Sequence, residues 1–318
     1  MDERFTSNQP IEGQPQTAVP PVRLAILTTL LVVPVVLLLI IVMKPATAHA
    51  TLTHVANLLA VRIKSGATSG TNLGAIADSR KGPGIASQPP QAQAEGLLQQ
   101  AIGGSSAALE ELSGRTPDWQ GQLTMTPRLT GLLDTAVNAN DFKVRSAAID
   151  LELAANNLVK TPEAVDALIA RIDKEPAARP WGLWMLGALA NRGVKTNQAL
   201  AVLVGYSHDP DANTRYWAVT GMALVGSDPT VPMLLQIMHD DASPHVREAA
   251  GCGLAQAGML TKEQRRKAVP ALVRYVGDAS LDAPTRTWVY QALRDITGAS
   301  VGNDPAAWRE WLSHNSAD

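Results

Sequence analysis

Asp211-Ala-Asn-Thr-Arg215-Tyr-Trp-Ala218 is one of five similar motifs in the C-terminal half of this 318-residue chain. Each motif has an acidic residue in a short turn, an arginine four or six residues later, and then a stretch rich in small and apolar residues. The acidic residues are Asp141, Glu175, Asp211, Asp241 and Asp282, and the arginines are Arg145, Arg179, Arg215, Arg247 and Arg286. Successive arginines are 34, 36, 32 and 39 residues apart. A repeat of this length predicts a helical solenoid.

The two charged residues of the motif have different predicted roles. An Asp or Glu just before a helix can accept hydrogen bonds from the free N–H groups of the first turn. The arginine falls in that first turn, and its planar group of donors can reach carboxylates or carbonyls of the next repeat. We therefore expect the five arginines to form a ladder between repeats.

The residues after each arginine predict a buried helix face. Seven residues after the arginine, four copies have a large apolar residue, whereas the first copy has Glu152. Small residues such as Gly221 favour a close approach of neighbouring helices. Tryptophans lie in the same first helices, and we expect them in the core between repeats; they are Trp181, Trp184, Trp217 and Trp288.

A second apolar segment follows each first helix, after a turn that contains Gly, Pro or a short polar residue. Gly after one helix, and Ser, Thr or Asp before the next, are typical stop and start signals. The apolar residues in each segment are spaced as on one face of a helix. These second helices, which we predict to line a concave surface, cover residues 163–172, 197–204, 231–238 and 268–276.

The motif resembles the HEAT repeat, and more narrowly the bacterial HEAT-like repeats of the phycobilisome-lyase type. The best match is Pro244-His-Val-Arg247-Glu-Ala-Ala250, and residues 291–312 resemble the closing segment of such arrays. The resemblance covers roughly residues 105–313. It implies an all-α fold, a right-handed α-α superhelix. It implies little about activity, since these arrays serve many functions.

Composition divides the chain into five predicted segments. The first is polar and proline-bearing, the second is apolar, and the third is rich in Gly, Ser and Pro, as flexible linkers are. An atypical terminal repeat is expected before the array itself. The segments are a disordered tail at 1–22, a transmembrane helix at 23–44, a juxtamembrane segment and linker at 45–93, an N-terminal helical cap at 94–140, and the solenoid with its C-terminal cap at 141–318.

Residues 24–43 form a run of twenty without a charge, between Arg23 and Lys44. About twenty helical residues span the hydrocarbon core of a bilayer. Ala46, Ala48 and Ala50 leave a cleaved signal peptide as an alternative, although the run is longer than the roughly 7–15 residues usual in a signal. We expect a single-pass anchor. The flanking charges do not decide its orientation, and we expect the repeats outside the cytoplasm, in the periplasm.

The sequence gives little sign of catalytic or nucleic-acid chemistry. Charge is nearly balanced, with 27 Lys and Arg against 29 Asp and Glu, which argues against a nucleic-acid face. The densest group of possible metal ligands comprises His208, His239 and His245 with neighbouring aspartates. The simpler interpretation is that these histidines end helices and the aspartates cap the next ones. We therefore predict no metal site and no cofactor.

Three further features have structural interpretations. Cys252 is the only cysteine, and on a helix of small residues we expect its thiol to be buried and inert. The charged run 262–267 is expected to be a solvated first turn of a helix. Trp308 and Trp311 are expected to seal the C-terminal cap.

The predicted function is that of a non-enzymatic, membrane-anchored scaffold that binds a protein partner through the solenoid surface. Two alternatives remain open from the sequence. One is a metal-binding or enzymatic solenoid that uses the turn histidines, and the other is a structural envelope protein that associates with itself.

Overall fold

A computed structural model describes residues 88–315, and every regular element in that part of the chain is helical. Two short 3-10 turns, Thr116–Trp119 and Pro176–Ala178, supplement the α-helices. The α-helices are α1 Pro90–Ile102, α2 Ser106–Arg115, α3 Pro127–Val137, α4 Phe142–Ala155, α5 Pro162–Lys174, α6 Arg179–Asn191, α7 Thr196–Tyr206, α8 Ala212–Val225, α9 Thr230–Asp240, α10 Pro244–Ala255, α11 Lys262–Arg266, α12 Val269–Tyr275, α13 Ala283–Thr297 and α14 Pro305–Asn315.

The helices from α4 onward form stacked pairs. Helices α4, α6, α8, α10 and α13 are the first helices of the repeats, and each follows one of the acidic motifs. Along the array, α6 packs on α8, α8 on α10, and α10 on α13. The second helices α5, α7, α9 and α12 pack against the first helices beside them. This arrangement fits an α solenoid, as the repeat length predicts.

Three of the five acidic motif residues cap the helix that follows them. A carboxylate oxygen of Asp141 accepts from the backbone N–H of Lys143 at 2.8 Å. Asp211 and Asp282 do the same for the third residue of α8 and α13, at 2.9 and 2.8 Å. These local bonds explain why α4, α8 and α13 begin where the sequence predicts.

The other two acidic residues do not act as N-caps. Glu175 is followed by a 3-10 turn, so α6 begins only at Arg179, and the Glu175 carboxylate pairs instead with Arg171 at 3.1 Å. Asp241 accepts from the N–H of Ser243, inside the turn that precedes α10. The expectation of a capping carboxylate is therefore wrong at these two positions.

The core of the described residues consists of two hydrophobic clusters that meet at α4. One cluster joins α1, α2 and α3 to α4 through Val144, Ala148 and Leu151. The other begins with Ile149 and Leu153 of the same helix and continues to Trp308 in α14. Helix α4 therefore has apolar residues on two faces, and α1 to α3 cover the end of the array.

The C-terminal helix α14 closes the larger cluster. Trp308 is fully buried, and its indole N–H donates to the carbonyl of Gly302 at 2.9 Å. Trp311 lies edge-on to Trp308, with ring centroids 5.7 Å apart. These contacts are those expected of residues that seal an end of the array.

The predicted tail at 1–22 and the predicted membrane helix at 23–44 lie outside the described residues. Most of the predicted linker at 45–93 also lies outside the described residues. Its predicted end at residue 93 is too late, because α1 already begins at Pro90. Within residues 88–315, the structure contains no helix with the length and apolar character needed to cross a bilayer.

Candidate functional site

A groove of about 730 Å³ lies across α3, α4, α6, α8 and α10. We call it the aromatic groove, and define it by its ring side chains and its carboxylates: Trp181, Trp184, Tyr216, Trp217, His245, Asp134, Glu152 and Glu248. Apart from α3, these helices are first helices of repeats. The rings and carboxylates of this groove therefore lie on the other helix of each pair from the second helices that the sequence predicts to line a concave binding surface, and that prediction stays untested.

Two of the rings of the groove come from equivalent positions of successive repeats. Trp181 and Trp217 each follow the motif arginine by two residues, so stacking α6 on α8 brings the two rings to one surface. Trp184 lies one turn after Trp181, which places both on the same side of α6. On α8, Tyr216 meets Trp217 edge-on, with centroids 5.3 Å apart, and stacks on the ring of His245 at 4.4 Å.

The tryptophans of the first helices lie at the edge of the core in which the sequence predicts them. Trp181, Trp184, Trp217 and Trp288 are only half-buried. One side of each packs against the hydrophobic cluster, and in the first three the remaining surface faces the groove. The apolar periodicity does not distinguish these cases, because a ring at the edge of the core has the same spacing as one inside it.

Glu152 lies beside the tryptophans and explains the exception in the repeat pattern. The indole N–H of Trp184, in the next repeat, donates to the Glu152 carboxylate at 3.0 Å. Burial raises the pKa of Glu152 from 4.5 to about 7, the hydrogen bond from Trp184 opposes this, and the nearby carboxylate of Asp134 adds to it. Burial also raises the pKa of Asp134. The groove therefore brings two carboxyl groups together in a partly desolvated place.

Glu152 is expected to make stability depend on pH. Because its pKa is higher in the folded state, the folded chain binds more protons, and its contribution to stability falls as pH rises from 4.5 to about 7. Glu152→Gln keeps an acceptor for Trp184 without the charge. We expect this variant to gain about 1–2 kcal/mol over the parent protein at pH 8 and nothing at pH 4.5, in urea unfolding of the full chain. The exposed Glu163 on α5 provides the control, Glu163→Gln, and an equal pH-dependent gain there would contradict the prediction.

Cys252 also lines the groove, and its side chain is exposed. The expectation of a buried thiol is therefore wrong, because the small residues beside it form the helix contact while Cys252 faces outward. Desolvation by the groove walls raises the pKa of this thiol. At neutral pH it stays protonated and is a poor nucleophile.

Three of the motif arginines contact the following repeat. Arg215 forms two bonds to the carboxylate of Asp241, at 2.8 and 2.9 Å. Arg247 pairs with Asp282 and also donates to the hydroxyl of Thr285 at 2.9 Å. Arg179 approaches Asp209 at 3.7 Å. These contacts join the turns before successive first helices and help to fix the spacing of the repeats that carry the groove.

The first and last motif arginines differ, since neither contacts a following repeat. Arg145 donates to the carbonyl of Ala139 at 2.6 Å, in the turn before its own helix. Arg286 donates to the carbonyls of Asp278 and Leu281 in the same way. The acidic residue of the second motif, Glu175, pairs with Arg171 on the preceding helix instead.

Replacing Arg215 with lysine tests whether the planar guanidinium group contributes to stability. Lysine keeps the charge but loses the two-pronged bond to Asp241, whose side chain is only 7% exposed. We expect Arg215→Lys to lower the free energy of unfolding by about 1–2 kcal/mol, measured in urea. Arg309→Lys on the exposed side of α14 should change it by less than about 0.5 kcal/mol. Equal losses in the two variants would mean that the ladder geometry contributes nothing.

The three turn histidines lie in different surroundings. The carboxylates of Asp240 and Asp278 accept hydrogen bonds from the ring nitrogens of His239, and the hydrogen bond with Asp240 raises the pKa of His239 most. His245 stacks on Tyr216, and His208 is exposed. Within residues 88–315, no three His, Cys, Asp or Glu side chains are grouped so as to hold a metal ion. The structure therefore does not bring the candidate ligands to one point.

Arg265 is a structural residue that the sequence analysis missed. It lies in the charged run 262–267, but it is buried, and its guanidinium donates to the carbonyls of Leu254, Gln256, Ala257 and Leu260. Burial lowers its pKa to about 10, which leaves it charged at neutral pH. The expectation of a solvated turn is therefore wrong at this position, although its neighbours Arg266 and Lys267 are exposed.

The helical stack agrees with a comparison against known protein families. The family model described as HEAT repeats matches residues 129–223 and residues 174–255. Together with the all-helical structure, these matches support a HEAT-repeat protein, and they confirm the broader resemblance to HEAT repeats for residues 129–255. Nearly the whole aromatic groove lies on these matched repeats. Comparison with curated proteins gave no match for this chain.

Proposed function

We propose that the chain is a non-enzymatic scaffold that binds a protein partner through the aromatic groove. The observation that supports this most directly is the groove of about 730 Å³ in which three tryptophans and a tyrosine remain partly exposed. Tryptophan and tyrosine are enriched where binding energy is concentrated in protein interfaces. HEAT repeats generally mediate protein–protein interaction, and stacked repeats provide extended binding surfaces.

The absence of enzymatic activity is part of the proposal, and the chemistry of the groove supports it. Its one thiol has a raised pKa, which disfavours the nucleophilic thiolate. Its one histidine, His245, lies against Tyr216 in parallel stacking. The carboxyl of Glu152 is bonded to an indole N–H rather than to a nucleophile that it could activate.

Attachment to a membrane is the second part of the proposal. It rests on the uncharged run at residues 24–43, which has the length of a single span. We place the repeats outside the cytoplasm, joined to the anchor through the Gly-, Ser- and Pro-rich stretch at 65–89. Such a tether would raise the concentration of the groove near partners in the same membrane.

A photoreactive phenylalanine analogue placed at single positions of the full chain in cells tests partner binding. At position 217 it replaces a ring that faces the groove, and at the exposed Ala201 on α7 it lies on a second helix. We expect irradiation to give a discrete crosslinked protein from position 217 and none from position 201. No crosslink from the groove, or the same products from both positions, would refute the proposed role of the groove.

A protease applied to intact and lysed cells tests the membrane topology. With a C-terminal tag on the full chain, we expect the tag to be cleaved while the inner membrane is still intact. Protection of the tag until lysis would place the repeats in the cytoplasm, and release of the uncleaved chain by alkaline washing would argue against the anchor.

A further inference from the structure

The aromatic groove has an unbalanced charge. Its described lining contains the carboxylates of Asp134, Glu152 and Glu248 and contains no Lys or Arg. Elsewhere in the described part of the chain, carboxylates regularly pair with basic side chains, but none of those ion pairs includes these three. The groove therefore presents negative charge that the described part of the chain does not neutralise.

The rings beside these carboxylates favour a cation as well. The face of an indole attracts a guanidinium or ammonium group within about 6 Å of its centroid. One ring of the groove already shows this interaction, since the guanidinium of Arg171, which is not itself a lining residue, lies 5.1 Å from the ring centre of Trp181. Trp184 and Trp217 have partly exposed rings with no such cation in the described residues.

We propose that the groove receives a Lys or Arg side chain from a basic segment of the partner protein. This inference rests on the proposed function and specifies the chemistry of the partner. The aliphatic stem of the cationic side chain packs on the indole rings, and its charge is met by Glu152 and Asp134. A nucleic acid or an acidic peptide is excluded by the same carboxylates, because like charges repel in a partly desolvated groove.

Occupation by a cation also changes the protonation of the groove. A positive charge beside Glu152 favours its ionised form, so binding releases a proton and affinity rises between pH 6 and pH 8. The other titratable groups that face the groove are Asp134 on α3, Tyr216 on α8, and His245, Glu248 and Cys252 on α10. Comparison with Glu152→Gln isolates the contribution of Glu152 from that of His245.

Fluorescence anisotropy with labelled peptides and the full-length chain tests the proposal. One peptide alternates leucine with arginine, and its match has citrulline, which is uncharged and of nearly the same shape, in place of arginine. The groove variant is Asp134→Asn with Glu152→Gln. The control, Glu110→Gln with Glu163→Gln, alters net charge by the same amount at exposed positions. The affinities of both peptides are also measured for the Trp217→Leu variant, which removes a ring but no charge.

We expect the arginine peptide to bind at least tenfold more tightly than the citrulline peptide. The groove variant should lose at least tenfold in affinity and most of its pH dependence, Trp217→Leu should lose about fivefold or more, and the control should stay within twofold. Equal binding of both peptides, or equal losses in the groove and control variants, would overturn the inference. If either of these binding results is obtained while position 217 still crosslinks a partner in cells, only the cationic specificity is overturned and the scaffold function stands.

Discussion

Replacing Arg265 with methionine is expected to lower the free energy of unfolding by about 3–5 kcal/mol. The guanidinium donates to four backbone carbonyls at 2.8 to 3.4 Å. Three of them belong to residues at or just beyond the end of α10, where helix carbonyls lack partners within the helix and carry the negative end of the dipole. Methionine fills similar space but donates nothing, so these carbonyls lose a charged partner in a buried place.

The neighbouring residue provides a close control for this measurement. Arg266 lies in the same short helix and is exposed. Arg266→Met should therefore shift the urea midpoint of the full chain by less than about 0.5 kcal/mol in free energy. If the two variants lose the same amount, the loss comes from the charge of the segment and not from the carbonyl contacts of Arg265.

The Gly187→Ala variant is the second change with a large expected effect. A Cβ at this position would lie 2.3 Å from the carbonyl oxygen of Gly221 and 2.8 Å from its Cα. These are backbone atoms of α8 and do not move aside as a flexible side chain would. Helices α6 and α8 must separate, and we expect a loss of about 2–4 kcal/mol even though alanine is the better helix former.

Gly131 in α3 tests the same substitution in open surroundings. Nothing lies within 4 Å of a Cβ built on this residue, so Gly131→Ala should stabilise the protein by about 0.5–1 kcal/mol. Urea unfolding of both variants measures the difference in sign. A gain for Gly187→Ala would show that α6 and α8 separate at no cost.

Because α6 and α8 carry Trp184 and Trp217, we also expect Gly187→Ala to weaken binding in the groove.

The repeats could be predicted from sequence because their signals are local. Asp211 caps α8 through a bond to a residue three positions away, and Gly226 ends the same helix in the left-handed conformation that glycine adopts easily. The spacing of apolar residues shows which face of each helix is buried. Such features need no knowledge of the rest of the chain, and the family match at residues 129–255 agrees with them.

The candidate site was only partly visible in the sequence. Glu152 stands out in the alignment of the five motifs, where the other copies have Leu or Met, and this exception was the one available signal for the groove. Its partner Trp184 lies 32 residues away. The half-burial of the tryptophans could not be predicted, because periodicity identifies a helix face but not whether another helix covers all of it.

The helical repeat, most helix starts and the small residues where first helices approach can all be read from the order of amino acids. The burial of Arg265, the exposure of Cys252 and the position of the groove on the first helices rather than the second follow from how the repeats stack. The two sets differ because local hydrogen bonds and apolar spacing act within one helix or turn. Burial, carboxylate pKa values and ring contacts depend on which residues, tens of positions apart, the stacking of repeats brings together.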